Sequence, residues 1–303
     1  MTGPTKITTK EQVEKFLDSY DDFLFDCDGV LWQGDKLLPY AAETLELLRS
    51  RGKRLIFVTN NSTKSRQAYT KKFAKLGISV TAEEIFGSAY SSAIYLSKVV
   101  KLPKDKKVFV LGEAGIEEEL ASEGIQYIGG TDPSLRRDIA PEDYDKIVAD
   151  PSIGCVLCGL DQHINYLKLS IALINLQVPE TIFLATNIDS TYPTNGKLFP
   201  GAGTMSAPLI LASKRQPISL GKPSQAMMDC IKAKFDFVSS RACMVGDRLD
   251  TDMRFGVEGG LGTLFVLTGV NTESDVTAQD APVAVQNYMT KLGDIYELLQ
   301  NKE

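Results

Sequence analysis

Histidine is almost missing from this chain, which has a single one, His163, among 303 residues. A zinc site built from several histidines is therefore excluded, and any Ser-His-Asp arrangement would need His163 as its base. His163 stands in Asp161-Gln162-His163-Ile164, outside every motif described below, so we expect it to have a capping or surface role. If the chain is an enzyme, we expect carboxylates to carry its acid–base chemistry.

Cysteine is also scarce. An odd number of cysteines at irregular spacing predicts reduced thiols in a cytoplasmic protein rather than a disulfide framework. The C-x-x-C pair lies inside an apolar, strand-like run, where residues three apart point to opposite faces, so we expect two core side chains there rather than a metal site or disulfide. The five cysteines are Cys27, Cys155, Cys158, Cys230 and Cys243.

Long apolar runs and an excess of positive charge are missing as well. No uninterrupted apolar stretch approaches the roughly 20 residues that cross a bilayer, and residues 1–15 show no signal-peptide pattern. The chain has 39 acidic against 33 basic residues and a net charge of -6, which argues against a nucleic-acid or membrane-surface binder. We therefore expect a cytoplasmic globular protein without nucleic-acid or membrane partners.

The sequence does contain short apolar runs that alternate with helical patterns. Continuous apolar runs, without in–out alternation, predict parallel strands covered on both faces. The pattern as a whole predicts an α/β fold, a doubly wound parallel sheet of Rossmann-like type. Its strands are predicted at residues 23–27, 54–58, 217–220, 242–245 and 263–267, with early helices at 41–50 and 64–76.

A second set of strand–helix units in the middle of the chain indicates an inserted domain. Its strands are predicted at residues 107–111, 125–128, 155–157 and 182–185, before the turn-rich Pro200-Gly201-Ala202-Gly203. The simplest interpretation is an α/β insertion into one loop of the outer domain. The predicted ranges are 1–89 and 203–303 for the outer domain and 90–202 for the insertion.

Polar side chains follow four of the predicted outer strands. Ligands of open α/β sheets bind beyond the carboxyl ends of the strands, so we expect these side chains to face one crevice. Two acids that end an apolar strand need a cation or a proton to balance them, and a helix start beside them suits a phosphate. Alone, Asp-x-Asp-Gly could be a plain turn. The side chains are Asp26, Asp28, Thr59, Asn60, Asn61, Lys222, Asp247 and Asp252.

Two other phosphate motifs are excluded. Gly221-Lys222 looks like the end of a P-loop, but Pro223 replaces the required Ser or Thr and the upstream glycine is absent. No G-x-G-x-x-G follows the first strand, so a dinucleotide site has no support.

The four motifs together resemble the haloacid-dehalogenase superfamily of phosphatases. The text around Phe25-Asp26-Cys27-Asp28 and Thr59-Asn60-Asn61 looks like its 4-nitrophenylphosphatase and phosphoglycolate phosphatase branch, over nearly the whole chain. The resemblance implies that the insertion is a C2-type α/β cap and that the enzyme is a Mg²⁺-dependent phosphatase. It also implies a homodimer formed through the cap.

The resemblance assigns the roles of three aspartates. Asp26 would be the nucleophile that forms an aspartyl-phosphate, and it would also bind Mg²⁺. Asp28 would be the general acid and base, and its backbone carbonyl would be a second metal ligand, with Asp247 as the third. The dehalogenase branch lacks the acid found here at Asp28, which favours phosphoryl transfer.

The remaining motif residues are implied to hold the phosphoryl group. Thr59, Asn60 and Asn61 would bind its oxygens, and Lys222 would neutralise charge on it and on the nucleophile. Asp252 would support the site by fixing Lys222.

Substrate choice is implied to rest on a cap loop, residues 186–193. Pyridoxal-phosphate phosphatases that resemble this chain carry a histidine near Tyr192, so Tyr192 favours a small acid such as 2-phosphoglycolate, or 4-nitrophenyl phosphate. Tyr192 could instead be a packed loop aromatic. A pyridoxal-phosphate phosphatase, a phosphomutase of the same fold and a non-enzymatic phosphometabolite-binding protein are the alternatives.

Overall fold

The computed structural model describes residues 3–194 and 197–300; residues 1–2, 195–196 and 301–303, which the predicted domain ranges include, lie outside the described residues. The strands are β1 (Thr5–Lys6), β2 (Asp22–Phe25), β3 (Trp32–Gln33), β4 (Lys36–Leu37), β5 (Arg54–Thr59), β6 (Ile85–Gly87), β7 (Lys107–Leu111), β8 (Gln126–Gly129), β9 (Ile153–Cys158), β10 (Ile182–Ala185), β11 (Thr191–Thr194), β12 (Lys197–Pro200), β13 (Ile218–Ser219), β14 (Ala242–Gly246), β15 (Gly262–Val266) and β16 (Asn287–Met289).

The α-helices are α1 (Lys10–Ser19), α2 (Ala41–Ser50), α3 (Arg66–Lys75), α4 (Ser88–Ile94), α5 (Ala114–Ser122), α6 (Asp143–Lys146), α7 (Tyr166–Leu176), α8 (Ala202–Ser213), α9 (Gln225–Phe235), α10 (Arg254–Glu258), α11 (Glu273–Thr277) and α12 (Asp294–Gln300). In the part of the chain that the structure describes, no helix is both long and apolar enough to cross a membrane.

One compact unit, the first unit, consists of Met1–Thr59, Thr70–Phe86 and Lys222–Glu303. It contains a seven-stranded sheet in the order β1-β16-β15-β14-β2-β5-β6, and the pairings from β1 to β5 are parallel. Strands β2 and β14 are buried along their whole length, as their continuous apolar runs predict. The predicted doubly wound α/β fold is confirmed.

The strand order brings the carboxyl ends of β14, β2 and β5 side by side. Val245 is in register with Phe25, and Phe25 is in register with Phe57. Asp26 therefore leaves β2 between Asp247, which follows β14, and Thr59, which ends β5.

The other compact unit, the second unit, consists of Asn60–Tyr69 and Gly87–Gly221. Its five-stranded sheet has the order β13-β10-β9-β7-β8, and all its pairings are parallel. Phe109, Val156 and Phe183 form its core with α7 and α8. Cys155 and Cys158 of β9 are buried, unpaired core residues, as the strand pattern predicts.

The strand before Lys222 corrects one prediction. The sequence pattern assigns residues 217–220 to the outer sheet, but Ile218–Ser219 pairs in parallel with β10 of the second unit, so that assignment is wrong. The reason is that β13 has only two residues and Ile218 is 42% exposed, so its pattern contains no information about which sheet it joins. The predicted cap limits at residues 90 and 202 stay a prediction.

His163 is exposed just before α7. The capping residue of this helix is Asn165, whose side chain accepts a hydrogen bond from the Lys168 backbone N–H at 2.9 Å. Of the two roles expected for His163, the structure therefore shows the surface one.

Candidate active site

A buried lysine and three aspartates form a cluster at the carboxyl ends of β2 and β14, here called the aspartate–lysine cluster: Asp26, Lys222, Asp247 and Asp252. Lys222 is only 2% exposed. Its Nζ lies 2.7 Å from Asp26 Oδ1 and 2.8 Å from Asp252 Oδ1. It also donates to the backbone carbonyl of Val58 at 2.9 Å. The motif residues that follow separate strands thus meet in one place.

Asp252 is fixed by the π-helical turn Leu249–Met253 that follows β14. Its Oδ2 accepts hydrogen bonds from the backbone N–H groups of Asp247 and Arg248, at 3.2 and 3.1 Å. A Cβ on Gly246 would lie 2.2 Å from the Asp252 Cβ, so this approach requires glycine. One oxygen of Asp252 thus holds the loop and the other faces Lys222, while its supporting role in the reaction stays a prediction.

Asp247 is buried with one oxygen partnered and one not. Its Oδ2 accepts from the Val270 backbone N–H at 2.9 Å. Its Oδ1 is buried and makes no hydrogen bond to any residue that the structure describes. Gly29 and Gly269 leave room for the carboxylate, since a Cβ on either would lie 2.7 or 1.7 Å from Oδ2.

The cluster contains one basic and three acidic side chains, and burial and mutual repulsion shift their pKa values. Burial raises the pKa of Asp26 well above its usual range, against the opposing effect of Lys222, while Asp252 and Asp247 raise it further. Burial and Asp252 raise the pKa of Asp247 to about 7. Burial alone would lower the pKa of Lys222, but Asp252 and Asp26 outweigh it and hold that pKa above the ordinary value. One ammonium therefore faces three carboxylates.

This arrangement fits a divalent cation. Carboxylate oxygens of Asp26, Asp247 and Asp252 lie within 4.8 Å of one another. Hard oxygen ligands of this kind suit Mg²⁺. The unpartnered Oδ1 of Asp247 is a buried acceptor that a cation would satisfy. The cluster thus has both the ligand atoms and the charge deficit of a metal site.

Asp28 lies apart from the cluster's ion pairs and has its own partners. Its side chain is 38% exposed. The indole Nε1 of Trp32 donates to Asp28 Oδ1 at 2.8 Å, and Lys72 Nζ lies 3.7 Å from the same oxygen. The sequence did not indicate these contacts, because Lys72 belongs to an ordinary helix, α3, and Trp32 ends the short apolar run Val30-Leu31-Trp32.

Asn60 and Asn61 belong to the second unit and are held there by polar contacts. Asn60 Nδ2 donates to Asp189 Oδ2 at 3.1 Å, and Asn187 Nδ2 donates to the Asn60 carbonyl at 2.7 Å. Asn61 Oδ1 accepts from the backbone N–H and the hydroxyl of Thr63, at 3.0 and 2.7 Å. The contacts to Asp189 and Asn187 went unpredicted because more than a hundred residues separate the partners.

Helix α5 contacts residues 64–66, which complete the segment that begins at Asn60, here called segment 60–66. A Cβ on Gly115 would lie 2.5 Å from the Lys64 backbone, so glycine is needed for this close approach. Glu119, one turn along α5, accepts from the Arg66 backbone N–H at 2.6 Å and from its Nε at 3.0 Å. The Arg66 guanidinium also lies 3.4 Å from the centre of the Tyr90 ring. Segment 60–66 is thus tied to the second unit at both ends.

Tyr192 lies in the β11–β12 hairpin, opposite Phe199, and is half-buried. Whether it contacts substrate or only packs stays a prediction. Thr59 is 2% exposed at the end of β5, in the first unit.

Comparison with known proteins identifies the family. Residues 23–126 match the haloacid dehalogenase-like hydrolase family, and residues 219–292 match a second model of HAD-hydrolase-like proteins. The chain is 54% identical over 293 residues to a 4-nitrophenylphosphatase of Schizosaccharomyces pombe, which covers 96% of this chain and 98% of that protein. The chain belongs to the haloacid dehalogenase-like hydrolases.

Other members of the family support the same branch. Phosphoglycolate phosphatase 1A of Arabidopsis thaliana is 44% identical over 286 residues, which are 94% of this chain and 78% of that protein. A crystal structure of a Mycobacterium tuberculosis glycerol phosphate phosphatase in complex with magnesium superposes with a TM-score of 0.75 at 30% identity, over 97% of this chain and 79% of that one. The predicted superfamily, its branch and the phosphatase class of enzyme are confirmed.

Proposed function

We propose that this haloacid dehalogenase-like hydrolase is a Mg²⁺-dependent phosphatase that cleaves small phosphomonoesters through an aspartyl-phosphate intermediate. The observation that carries the proposal is the aspartate–lysine cluster, in which buried Lys222 holds Asp26 at 2.7 Å. The Lys222 ammonium opposes the rise in the pKa of Asp26 and so favours its nucleophilic carboxylate form, and the same ammonium can accept the charge of a phosphoryl group.

The proposed reaction has two steps. Asp26 attacks phosphorus while Asp28 gives its proton to the leaving-group oxygen, so that the ester bond breaks and an alcohol departs. Asp28, now ionised, takes a proton from water as that water attacks the aspartyl-phosphate, and inorganic phosphate and free Asp26 result. Thr59, Asn60 and Asn61 are proposed to bind phosphoryl oxygens, and Asp252 is proposed to hold Lys222.

The metal is proposed to be held by Asp26, Asp247 and the backbone carbonyl of Asp28. When bound, Mg²⁺ would offset the negative charge of the carboxylates and of the phosphoryl group. The unpartnered Oδ1 of Asp247 and the magnesium complex of the M. tuberculosis relative support this assignment.

The first natural substrate that we propose is 2-phosphoglycolate, with 4-nitrophenyl phosphate as a chromogenic substrate. The names of the yeast and plant relatives support both. Glycerol phosphate and pyridoxal phosphate are the competing substrates. Values of kcat/KM for the four compounds, with wild-type protein and Tyr192→Phe, would rank them and test whether Tyr192 contacts substrate.

Release of inorganic phosphate tests the reaction itself. We expect release from 4-nitrophenyl phosphate with Mg²⁺, none after chelation, and a loss of about a thousandfold or more in Asp26→Asn. Asp250→Asn is the matched control, since Asp250 lies in the same loop as Asp252 but its side chain is 61% exposed. Full activity in Asp26→Asn would exclude the mechanism. An isomerised sugar phosphate without free phosphate would indicate a phosphomutase instead.

We further propose a cytoplasmic homodimer formed through the second unit. Large apolar side chains are exposed there, including Leu211 at 82%, Val148 at 69% and Tyr166 at 62%. Exposed apolar patches often mark protein interfaces. Light scattering at several concentrations should give twice the chain mass, and a concentration-independent monomer would contradict the dimer. Imaging of a fluorescent fusion in living cells tests the compartment.

A further inference from the structure

We propose that Trp32 is a positioning residue for Asp28: its indole N–H fixes the carboxyl group so that Oδ2 is the oxygen presented for proton transfer. This inference rests on the proposed function. The contact is short and direct, since Trp32 Nε1 donates to Asp28 Oδ1 at 2.8 Å. Trp32 has no exposed surface, so the donor cannot turn to water instead.

The surroundings hold the indole ring in place. Phe73 packs edge-on against it, with ring centres 4.9 Å apart. Lys72, which like Phe73 belongs to α3, has its Nζ 4.2 Å from the centre of the Trp32 ring. A ring confined in this way offers its N–H in one direction only, and a rigid donor positions a partner more precisely than a mobile one.

The two oxygens of the Asp28 carboxyl group therefore have different surroundings. Oδ1 faces two donors, the Trp32 indole at 2.8 Å and the Lys72 ammonium at 3.7 Å. Oδ2 makes no hydrogen bond to the described part of the chain, and Asp28 is 38% exposed, so Oδ2 can meet a solvent or substrate oxygen. The proton that goes to the leaving group, and later returns from water, would therefore travel through Oδ2.

Leaving-group dependence separates this role from a structural one. An alkyl phosphate such as 2-phosphoglycolate needs a proton on its departing oxygen, whereas 4-nitrophenolate departs as a stable anion. We expect Trp32→Phe, which keeps a buried ring but removes the donor, to lower kcat/KM for 2-phosphoglycolate about tenfold or more. For 4-nitrophenyl phosphate we expect a change of less than about threefold, because general-acid help matters little there.

Lys72→Met, which keeps the aliphatic stem over the ring, should give a smaller change in the same direction. Lys75→Met is the control, because Lys75 is an exposed lysine one turn along α3. Equal losses for both substrates in Trp32→Phe, or no loss for either, would overturn the inference. A wild-type protein inactive on both substrates would instead overturn the proposed function.

A fluorescence measurement tests the same inference without measuring catalytic activity. Trp32 is the single tryptophan of the chain, so all of the tryptophan fluorescence comes from this indole. Asp28→Ala should shift the emission of native protein, because the indole N–H loses its hydrogen-bond acceptor, while Asp250→Ala should leave it unchanged. An emission spectrum insensitive to Asp28→Ala would show that the contact is absent in solution, and the inference would then be wrong.

Discussion

At the scale of single residues, Lys222 is the side chain on which the other charges of the site depend. It lies 2.7 Å from Asp26 and 2.8 Å from Asp252, and all three are largely buried. Its removal would leave carboxylates close together without compensation, which is far more destabilising than loss of a surface ion pair. We therefore expect Lys222 to serve both the stability of the protein and its proposed reaction.

The corresponding prediction concerns Lys222→Met. We expect the free energy of unfolding in metal-free buffer to fall by about 3–5 kcal/mol, measured by urea denaturation. Adding Asp252→Asn should restore at least about 1 kcal/mol, because one of the uncompensated charges is removed. Lys104→Met, at an exposed turn, is the control and should be neutral. A double variant no more stable than Lys222→Met would show that charge repulsion is not the cause.

A second residue-scale prediction concerns thiol reactivity. All five cysteines are buried and unpaired. Burial raises the pKa of Cys230, the least enclosed, to about 11, so that it has about a hundredfold less thiolate than an exposed thiol at neutral pH. We expect negligible reaction with a thiol-specific disulfide reagent in native protein and five equivalents in guanidinium chloride. Rapid native reaction of even one equivalent would contradict this packing.

The residue identities of the candidate site were predictable from sequence, but their contacts were only partly so. Asp26 and Asp247 stand out because carboxylates after apolar runs are costly unless something balances them. The contact of Lys72 with Asp28 depends on which side of α3 faces the loop. Apolar periodicity does not specify that, because a lysine stem can cover apolar surface and still reach a carboxylate.

At the scale of elements, α5 connects segment 60–66 to the rest of the second unit. Gly115 permits the backbones to touch, and Glu119 accepts hydrogen bonds from both the backbone N–H and the Nε of Arg66. Since Asn60 and Asn61 begin this segment, the position of α5 also determines where these proposed phosphate ligands lie within the unit.

We therefore expect Glu119→Gln to lower the free energy of unfolding by about 2 kcal/mol, since the carboxylate that accepts from Arg66 becomes a neutral amide with a single acceptor oxygen. The KM for 4-nitrophenyl phosphate should rise as well, because Asn60 and Asn61 are less well held. Glu123→Gln is the matched control at the end of α5: its side chain is 17% exposed and contacts Ser97 and Lys98, so we expect less than about 1 kcal/mol. Indistinguishable effects in the two variants would rule out a special role for Glu119.

Elements with many apolar residues were predictable and the shortest ones were not. Helix α2 occupies residues 41–50 as predicted, and β14 extends its predicted run by one residue. The sheet that β13 joins was predicted wrongly, because the place of a two-residue strand depends on its long-range partners, here Leu184 and Ala185 of β10.

At the scale of the whole molecule, each unit has its own parallel sheet and its own core. Trp32, the single tryptophan, lies in the first unit, whereas backbone circular dichroism reports both. We expect the urea transitions followed by these two probes to have different midpoints, since separate cores need not unfold together. A Trp32→Phe/Phe109→Trp variant should follow the second unit, because Phe109 is buried in its core. Coincident curves for all probes would show a single cooperative unit.

The first unit is made of separate stretches of the chain, and this affects how it folds during synthesis on the ribosome. Its strand β2 pairs with β14, the central strand of the sheet, and Lys222 contacts a carboxylate 196 residues earlier in the chain. A ribosome therefore finishes the second unit, which ends at Gly221, before it has made the lysine or the two later aspartates of the site. The inserted unit can fold during translation while its host waits with unpaired strand edges, and in that interval the nascent chain depends most on chaperones.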